Sequence, residues 1–162
     1  MSNIQIISYQ DIHKQGVIDL IIPIQQIEFQ VPITLEQQPD LQIIPQFYQI
    51  NNGNFWVALA DNQVIGSISL IDSGEGVGTL RKMFVHADYR GKEFGIAQQL
   101  LNILIDWAKN KGFQGIYLGT NDILKAAIRF YEKNGFTEIE KSNLPSQFPV
   151  MQVDNHFYEL IL

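Results

Sequence analysis

The sequence has no cysteine among its 162 residues. Disulfide bonds, thiolate metal ligands and a cysteine nucleophile are therefore excluded. A long apolar run is also missing, because Asp19 and Pro23 interrupt residues 17–24, whereas a membrane-spanning helix needs about 20 apolar residues. Met1-Ser2-Asn3 lacks the basic-then-apolar pattern of a secretory signal. We expect a soluble, cytoplasmic protein with no membrane partner.

A surplus of basic charge is absent too. The chain has 11 lysines and arginines against 17 aspartates and glutamates, a formal net charge of −6. An acidic surface repels phosphates, which disfavours nucleic acid as a partner. It would attract a cationic amine, although mild acidity also serves solubility alone. The length and the 46% hydrophobic content fit one domain over residues 1–162.

Signals for other classes of site are weak. His13, His86 and His156 form no pair at metal-ligand spacing, so no metal is expected. The chain lacks the G-x-S-x-G nucleophile elbow of a serine hydrolase. The glycine-rich run 74–78 imitates a dinucleotide fingerprint, but no helix follows it, and we interpret it as a hairpin turn.

The first half of the chain is predicted to place two helices before three antiparallel strands. One helix starts near Asp11 and should kink or divide at Pro23, since proline removes a backbone donor. The other starts at Pro39 and carries apolar residues up to Tyr48. The predicted strands of this half are residues 4–7, 55–60, 64–70 and 79–85.

The second half is predicted to continue as strand, helix, strand and helix. Apolar residues recur at helical spacing from Ala97 to Ala108, and a further helix is expected from Ile123 to Asn134. The predicted strands here are residues 115–118, 136–140 and 157–162. The strands on either side of the first of these helices should be parallel. The fold class is therefore α/β, with a mixed sheet.

The segment from Arg90 to Ala97 is the most informative about chemistry. Its glycines let the backbone approach a ligand closely. The first amides of the following helix have no internal partners and lie at the positive end of the helix dipole, a place that binds phosphate or pyrophosphate. Arg90 and Lys92 add cationic side chains. A plain strand-to-helix turn explains the glycines alone equally well.

Three pieces of sequence, in this order, resemble the GNAT acetyltransferase family. They are LRKMFVHADYRGKEFGIAQQLL from Leu80, IYLGTN from Ile116 and AAIRFYEKNGF up to Phe136. The resemblance implies a single-domain GNAT fold, with a twisted, mostly antiparallel sheet, helices on both faces and a βαβ core that binds acetyl-CoA. It also implies direct transfer of an acetyl group to a primary amine.

The resemblance assigns the contacts to acetyl-CoA. The family's pyrophosphate loop, Q/R-x-x-G-x-G/A, is matched by residues 92–97 with lysine at the first position, and the loop is longer by two residues. Backbone groups of residues 83–85 are expected to pair with the pantetheine arm like an added strand. The implied cofactor-binding residues are Met83, Phe84, Val85, Arg90, Gly91, Lys92, Glu93, Phe94, Gly95, Ile96, Ala97 and Asn121.

Tyr131 is the candidate catalytic residue. An amine that attacks a thioester expels a thiolate, and a hydroxyl near the sulfur can donate a proton to it. The family uses a tyrosine at this position as that acid. Without the resemblance, the helical spacing of Tyr131 favours a core aromatic residue.

Asn121 and Leu124 follow the strand predicted at residues 115–118. Asn121 is expected either to contact the cofactor or to cap the next helix. The family often carries a second asparagine where this chain has Leu124, so that contact is absent. This departure and the altered loop leave open a second function, a catalytically silent domain that binds or senses CoA or acyl-CoA.

The sequence does not identify the general base or the acceptor. Glu28 and Asp72 are candidate substrate-binding carboxylates, although each could equally be a solvated charge at the end of an element. Gln37, Gln38 and Asp40 lie in the region that shapes the acceptor site of related enzymes. The expected partner is a small-molecule or protein amine. Dimers are common in the family, so a homodimer is a further expectation.

Overall fold

The computed structural model describes residues 3–162, which form four α-helices, short 3-10 and π-helical turns, and one sheet. The helices are α1 (Lys14–Pro23), α2 (Ile44–Phe47), α3 (Ile96–Asn110) and α4 (Lys125–Lys133). The strands are β1 (Ile4–Ser8), β2 (Asn54–Ala60), β3 (Gln63–Asp72), β4 (Val77–Val85), β5 (Gly115–Thr120), β6 (Thr137–Ile139) and β7 (His156–Ile161). No helix within this range is both long and apolar enough to cross a lipid bilayer.

The seven strands lie in the order β1-β2-β3-β4-β5-β7-β6. Neighbouring strands are antiparallel except β4 and β5, which are parallel and are connected through α3. A two-residue turn joins β2 to β3, and both of its residues, Asp61 and Asn62, have positive φ. Parallel strands instead need a long crossover. The predicted mixed α/β sheet with a βαβ unit is confirmed.

The sheet separates two apolar cores, because successive side chains of a strand point to opposite faces. β2 is buried along its whole length, with Trp56 in one core and Val57 in the other. The first core also holds the apolar stripe of α3, and the second holds residues of α1 and α2. Helices therefore cover both faces, as predicted. The buried residues of α3 are Ile96, Leu100, Leu101, Leu104 and Ala108.

The helix predicted from Pro39 to Tyr48 is divided, which corrects the sequence interpretation. A 3-10 turn, Pro39–Gln42, precedes the single turn of α2. Pro45 is the reason, since its ring would clash with the carbonyl of Leu41 in a continuous helix. The chain accommodates Pro45 in the first turn of α2, where no amide donor is needed.

The winding of α1 changes at Pro23, at the position predicted for a kink. A π-helical turn, Ile24–Glu28, follows it, and the Phe29 amide donates to the Ile24 carbonyl at 3.0 Å. A proline has no amide to keep the ordinary ladder in place. The wider turn brings Gln25 and Phe29 to the cleft that lies between β4 and β5.

Candidate active site

β4 and β5 lie side by side only at their beginnings. Their pairing ends at Thr79 and Tyr117, although β4 continues to Val85 and β5 to Thr120. A cleft of about 360 Å³ opens where the two strands diverge. Its walls come from β4, β5, α4, the π-helical turn and residues 148–154, so both halves of the chain build it.

A β-bulge at Lys82, whose φ is +55, shapes the β4 wall. The register between β3 and β4 shifts between Ser67 and Ser69. Ser67 Oγ donates to the Lys82 carbonyl at 2.7 Å, and Ser69 Oγ to the preceding carbonyl at the same distance. Arg81 and Lys82 lie at this bulge, and both line the cleft together with the rest of residues 79–85.

One edge of β4 is open at Met83, Phe84 and Val85. Phe84 and Val85 pair with β3 on one side, but the pairing with β5 has already ended on the other. All three residues line the cleft. An extended ligand with suitably spaced amides can pair with such an edge as an added strand.

Residues 90–97 form the turn that leads into α3. Gly91 and Gly95 have φ of +116 and +62, conformations that favour glycine. The amides of Phe94 and Gly95 both donate to the Gly91 carbonyl, at 3.3 and 3.2 Å, so the turn closes on itself. The first bond of the helical ladder runs from the Gln99 amide to the Gly95 carbonyl at 3.0 Å. The first three amides of α3 thus have no ladder partner and suit an anion.

The Arg90 side chain is engaged within the protein. Two of its N–H groups contact the Glu28 carboxylate, one of them at 2.8 Å, and its Nε donates to the Val85 carbonyl at 2.8 Å. Hydrogen bonding from Arg90 lowers the pKa of the Glu28 carboxyl. The predicted cofactor residue and the predicted acceptor residue therefore bind each other. Arg90 lines the cleft, and Glu28 lies outside its lining.

Tyr131 reaches the cleft from α4. Its side chain is 7% exposed and packs against Phe130 and Phe136. Its hydroxyl donates to the Met83 sulfur at 3.6 Å. Burial raises the pKa of the phenol, so the hydroxyl keeps its proton at neutral pH. A protonated hydroxyl consequently faces the open edge of β4.

Lys82 is paired with groups from the segment between α1 and α2. Its Nζ lies 3.8 Å from Asp40 Oδ2 and contacts Gln38 Oε1. Asp40 also accepts the Tyr48 hydroxyl at 2.6 Å, and Gln38 exchanges hydrogen bonds with Gln25. Burial lowers the pKa of Lys82, and the Asp40 charge opposes this. The region expected to shape the acceptor site therefore borders the cleft through Lys82.

Asp154 places a carboxylate in the cleft. Its amide donates to the Met151 carbonyl at 3.1 Å, which closes a turn before β7. The carboxylate lies against the backbone of Gly119, where a β-carbon would have no room. Burial raises the pKa of Asp154 from 3.8 to about 6, and the charge of Arg81 opposes the rise. A carboxyl group with such a pKa is suited to accept a proton.

Comparison with known proteins identifies the family of the chain that forms this cleft. Residues 19–136 match the family model described as acetyltransferase (GNAT) family. The chain belongs to the GNAT acetyltransferase family. The match includes the bulge, the turn 90–97 and Tyr131, whereas Asp154 lies beyond it.

Solved structures and curated relatives agree with this GNAT membership. A GNAT acetyltransferase from Staphylococcus aureus Mu50 has a TM-score of 0.92 and 40% identity, over 97% of this chain and 98% of that one. The PaiA N-acetyltransferase of Thermoplasma acidophilum, solved with coenzyme A, shares the fold with a TM-score of 0.75 and 18% identity, over 99% of both chains. The probable N-acetyltransferase 14 of Xenopus tropicalis is 33% identical over 72% of this chain and 57% of its own length. The chain spans only 37 to 57% of the length of three such curated relatives.

Asp72 is not brought to the cleft of this GNAT chain. It ends β3 opposite Gly78, which lies roughly 16 Å along β4 from Met83 at the usual rise per residue. Its carboxylate accepts the amides of Asn52 at 3.2 Å and Gly74 at 3.0 Å. Asp72 therefore caps two turns, and the acceptor role expected of it does not fit this position.

Asn121 follows β5 and caps a turn. Its side-chain oxygen accepts the Ile123 amide at 3.2 Å. The helix α4 starts at Lys125 rather than at the predicted Ile123. Its contact with the cofactor stays a prediction. Leu124, at the position of the absent second asparagine, lines the cleft with an apolar side chain.

Sequence reasoning missed six polar residues that line the cleft, namely Gln25, Thr79, Arg81, Lys82, Thr120 and Asp154. Thr120 is 4% exposed, and its Oγ1 has no hydrogen-bond partner among residues 3–162. Arg81 and Thr120 both stand inside the motifs that carry the family resemblance, so their position was an available signal. Asp154 lies in an irregular segment after the last motif, where no local pattern marks it.

Proposed function

We propose that this chain transfers an acetyl group from acetyl-CoA to a primary amine in a ternary complex, with residues 1–162 acting as one N-acetyltransferase domain. The placement of Tyr131 carries the proposal. Its protonated hydroxyl faces the open edge of β4 inside a cleft. Such a cleft can align a thioester along one wall and protonate its leaving group from the other.

The turn 90–97 is assigned to the diphosphate of CoA. The free amides at the start of α3 and the positive end of its dipole favour an anion there, and Gly91 and Gly95 give the turn its shape. Lys92 adds an exposed cation. Arg90 acts by holding the Val85 carbonyl, because Glu28 already occupies its guanidinium.

The open edge at residues 83–85 is assigned to the pantetheine arm. Main-chain pairing there would place the thioester next to the bulge at Lys82. A backbone amide at this edge can stabilise the oxyanion that develops when the amine attacks. Asn121 stands at the end of β5, across the opening, and is assigned to the same arm.

Bond making and proton transfer can then be assigned to named groups. The amine nitrogen forms a bond to the thioester carbon, and the bond from that carbon to sulfur breaks. Tyr131 donates its proton to the departing sulfur, and the proton that the attacking nitrogen must lose to become an amide restores the Tyr131 hydroxyl. The ammonium form of the acceptor must first lose a proton, and Asp154 is the carboxylate in the cleft that can receive it.

Two measurements test the proposal. Calorimetry with purified protein should show saturable binding of both CoA and acetyl-CoA, and no heat of binding with either would reject the proposal. A panel of primary amines should then be screened for release of CoA from acetyl-CoA. Binding of CoA without transfer to any amine would favour the catalytically silent binding domain instead.

A further inference from the structure

The cleft contains three cationic side chains, although the chain as a whole is acidic. Two of them have carboxylate partners, since Lys82 is paired with Asp40 and Arg90 with Glu28. Each pair is close to neutral overall, so neither offers a net charge to a ligand. Arg81 is the remaining cation.

Arg81 has unused hydrogen-bonding capacity. The acceptor recorded for its guanidinium among the described residues is the Met151 sulfur at 3.0 Å, and a thioether is a weak acceptor. The Tyr48 hydroxyl is also within hydrogen-bonding reach of Arg81, whose charge and hydrogen bond partly offset the rise in the Tyr48 pKa that burial and Asp40 cause. No carboxylate of residues 3–162 lies within 4.0 Å of it. A planar guanidinium with free N–H groups binds a carboxylate through two parallel hydrogen bonds.

Asp154 supplies the anionic group that accompanies the cationic Arg81 in the cleft. The charge of Arg81 opposes the rise in the Asp154 pKa, but the two side chains form no ion pair within 4.0 Å. Met151 and Asp154 belong to the same turn, which forms one wall of the cleft. Met151 contacts Arg81, and Asp154 lies against Gly119. The unpartnered Thr120 hydroxyl follows Gly119 on β5. This end of the cleft therefore offers a cation, a carboxylate and a hydroxyl.

We propose that the acceptor is a small primary amine that also carries a carboxylate, with Arg81 binding the carboxylate and Asp154 facing the amine. This assignment rests on the proposed function and narrows its substrate class. The cleft volume of about 360 Å³ must also admit the thioester end of CoA, which limits the acceptor to the size of an amino acid. Simple alkylamines and polyamines lack the group that Arg81 would bind.

Matched acceptors test the assignment. Glycine is compared with ethanolamine, and β-alanine with propanolamine, because each pair differs in the carboxylate alone. CoA release should show a kcat/KM that is about tenfold or more higher for the carboxylated member, the effect expected of a charge-assisted hydrogen bond. Equal values, or a preference for the alcohols, would overturn the assignment.

Variants of Arg81 test whether this residue causes the preference for the carboxylated acceptor. Arg81→Gln should reduce the preference for the carboxylated member about tenfold, and Arg81→Lys should restore part of it, because a lysine keeps the charge without the planar fork. Arg129→Gln removes the same charge from an exposed position outside the cleft and should leave the preference unchanged. A preference that survives in Arg81→Gln protein with normal CoA affinity would overturn the role of Arg81.

The two proposals fail in different ways. If the wild-type protein does not bind CoA, the acetyl-transfer proposal itself is rejected. If it binds CoA and acetylates both members of each pair equally, only the acceptor assignment is rejected. Calorimetry of Arg81→Gln with CoA separates lost acceptor recognition from a misfolded cleft.

Discussion

The hydroxyl of Tyr131 lies 3.6 Å from the sulfur of Met83. One residue belongs to α4 and the other to the open edge of β4, so the contact bridges the two walls of the cleft. A thioether is a weak acceptor, and a ligand atom with stronger acceptor character can displace it. The hydroxyl is therefore positioned for a sulfur-bearing group that lies along β4.

Replacement of this hydroxyl tests its role as an acid. Tyr131→Phe should lower kcat about 100-fold, the lower range for loss of a general acid, while the Kd for CoA stays within about twofold, because the ring and its packing are kept. Tyr117→Phe is the matched control, since Tyr117 lies on β5 outside the lining of the cleft. Unchanged turnover in Tyr131→Phe would remove the tyrosine from the mechanism.

The turn before α3 can be tested with two glycines at opposite ends of that helix. Gly95 and Gly112 have φ of +62 and +82, and neither has an atom closer than 3.8 Å to the position of an added β-carbon. Alanine should therefore cost each site a comparable strain of about 1 kcal/mol. Thermal unfolding should show similar destabilisation for Gly95→Ala and Gly112→Ala.

Only Gly95→Ala should also weaken the binding of CoA, because Gly95 precedes the amides assigned to the diphosphate. Calorimetry provides the measurement for both variants. Equal CoA affinities in the two variants would show that the turn before α3 does not bind the cofactor.

The ionisation of Asp154 should control the pH dependence of transfer. Burial raises its pKa to about 6, and a base must be ionised to accept a proton. The value of kcat/KM should therefore rise through about pH 6, and Asp154→Asn should lose this rise together with most of the activity. A pH profile that is the same in the variant would exclude Asp154 as the base.

Ionisation of the Asp154 carboxyl should lower the stability of the fold, although it should raise the activity. A pKa raised from 3.8 to about 6 means that the folded state binds the proton more tightly, so stability falls as the pH rises through this interval. Asp154→Asn should raise Tm at neutral pH and change it little in more acidic buffer. An equal change in Tm at both pH values would indicate a packing effect rather than a charge effect.

A partly exposed histidine, His156, provides a second pH-dependent contribution to stability. His156 Nδ1 lies 2.6 Å from Glu138 Oε2, and its Nε2 contacts Asp122. Hydrogen bonding with Glu138 and Asp122 raises the pKa of His156 above 6.5. The stabilisation is complete below pH 6.5 and is lost as the pH rises through the raised pKa. His156→Gln should therefore lower Tm in mildly acidic buffer and have little effect in alkaline buffer.

His13 serves as a control for His156, because its pKa is shifted in the opposite direction. Burial lowers the pKa of His13, so its protonation disfavours the folded state as the pH falls. His13→Gln should not lower Tm selectively at mildly acidic pH. The assignment for His156 would be contradicted if both variants showed the same dependence of Tm on pH.

Short-range patterns in the sequence were enough to predict most elements of the fold. The apolar stripe of α3 is buried as its spacing predicted, and the β-rich runs 55–60 and 64–70 pair as antiparallel strands. Pro23 marks the change of winding in α1. The prediction of a continuous helix from Pro39 is wrong, because the ring of Pro45 interrupts the helix despite its apolar spacing. These features depend on neighbours within a few residues.

The sequence by itself determined the family motifs, the glycines that shape the turn before α3, and the presence of a tyrosine at position 131. Only the tertiary structure decided what the charged groups of the cleft do. Glu28 and Arg90 are 62 residues apart and bind each other, whereas Arg81 lines the cleft that opens where β4 and β5 diverge. Electrostatic pairing depends on distance in space, and that distance follows from the order of the strands rather than from spacing along the chain.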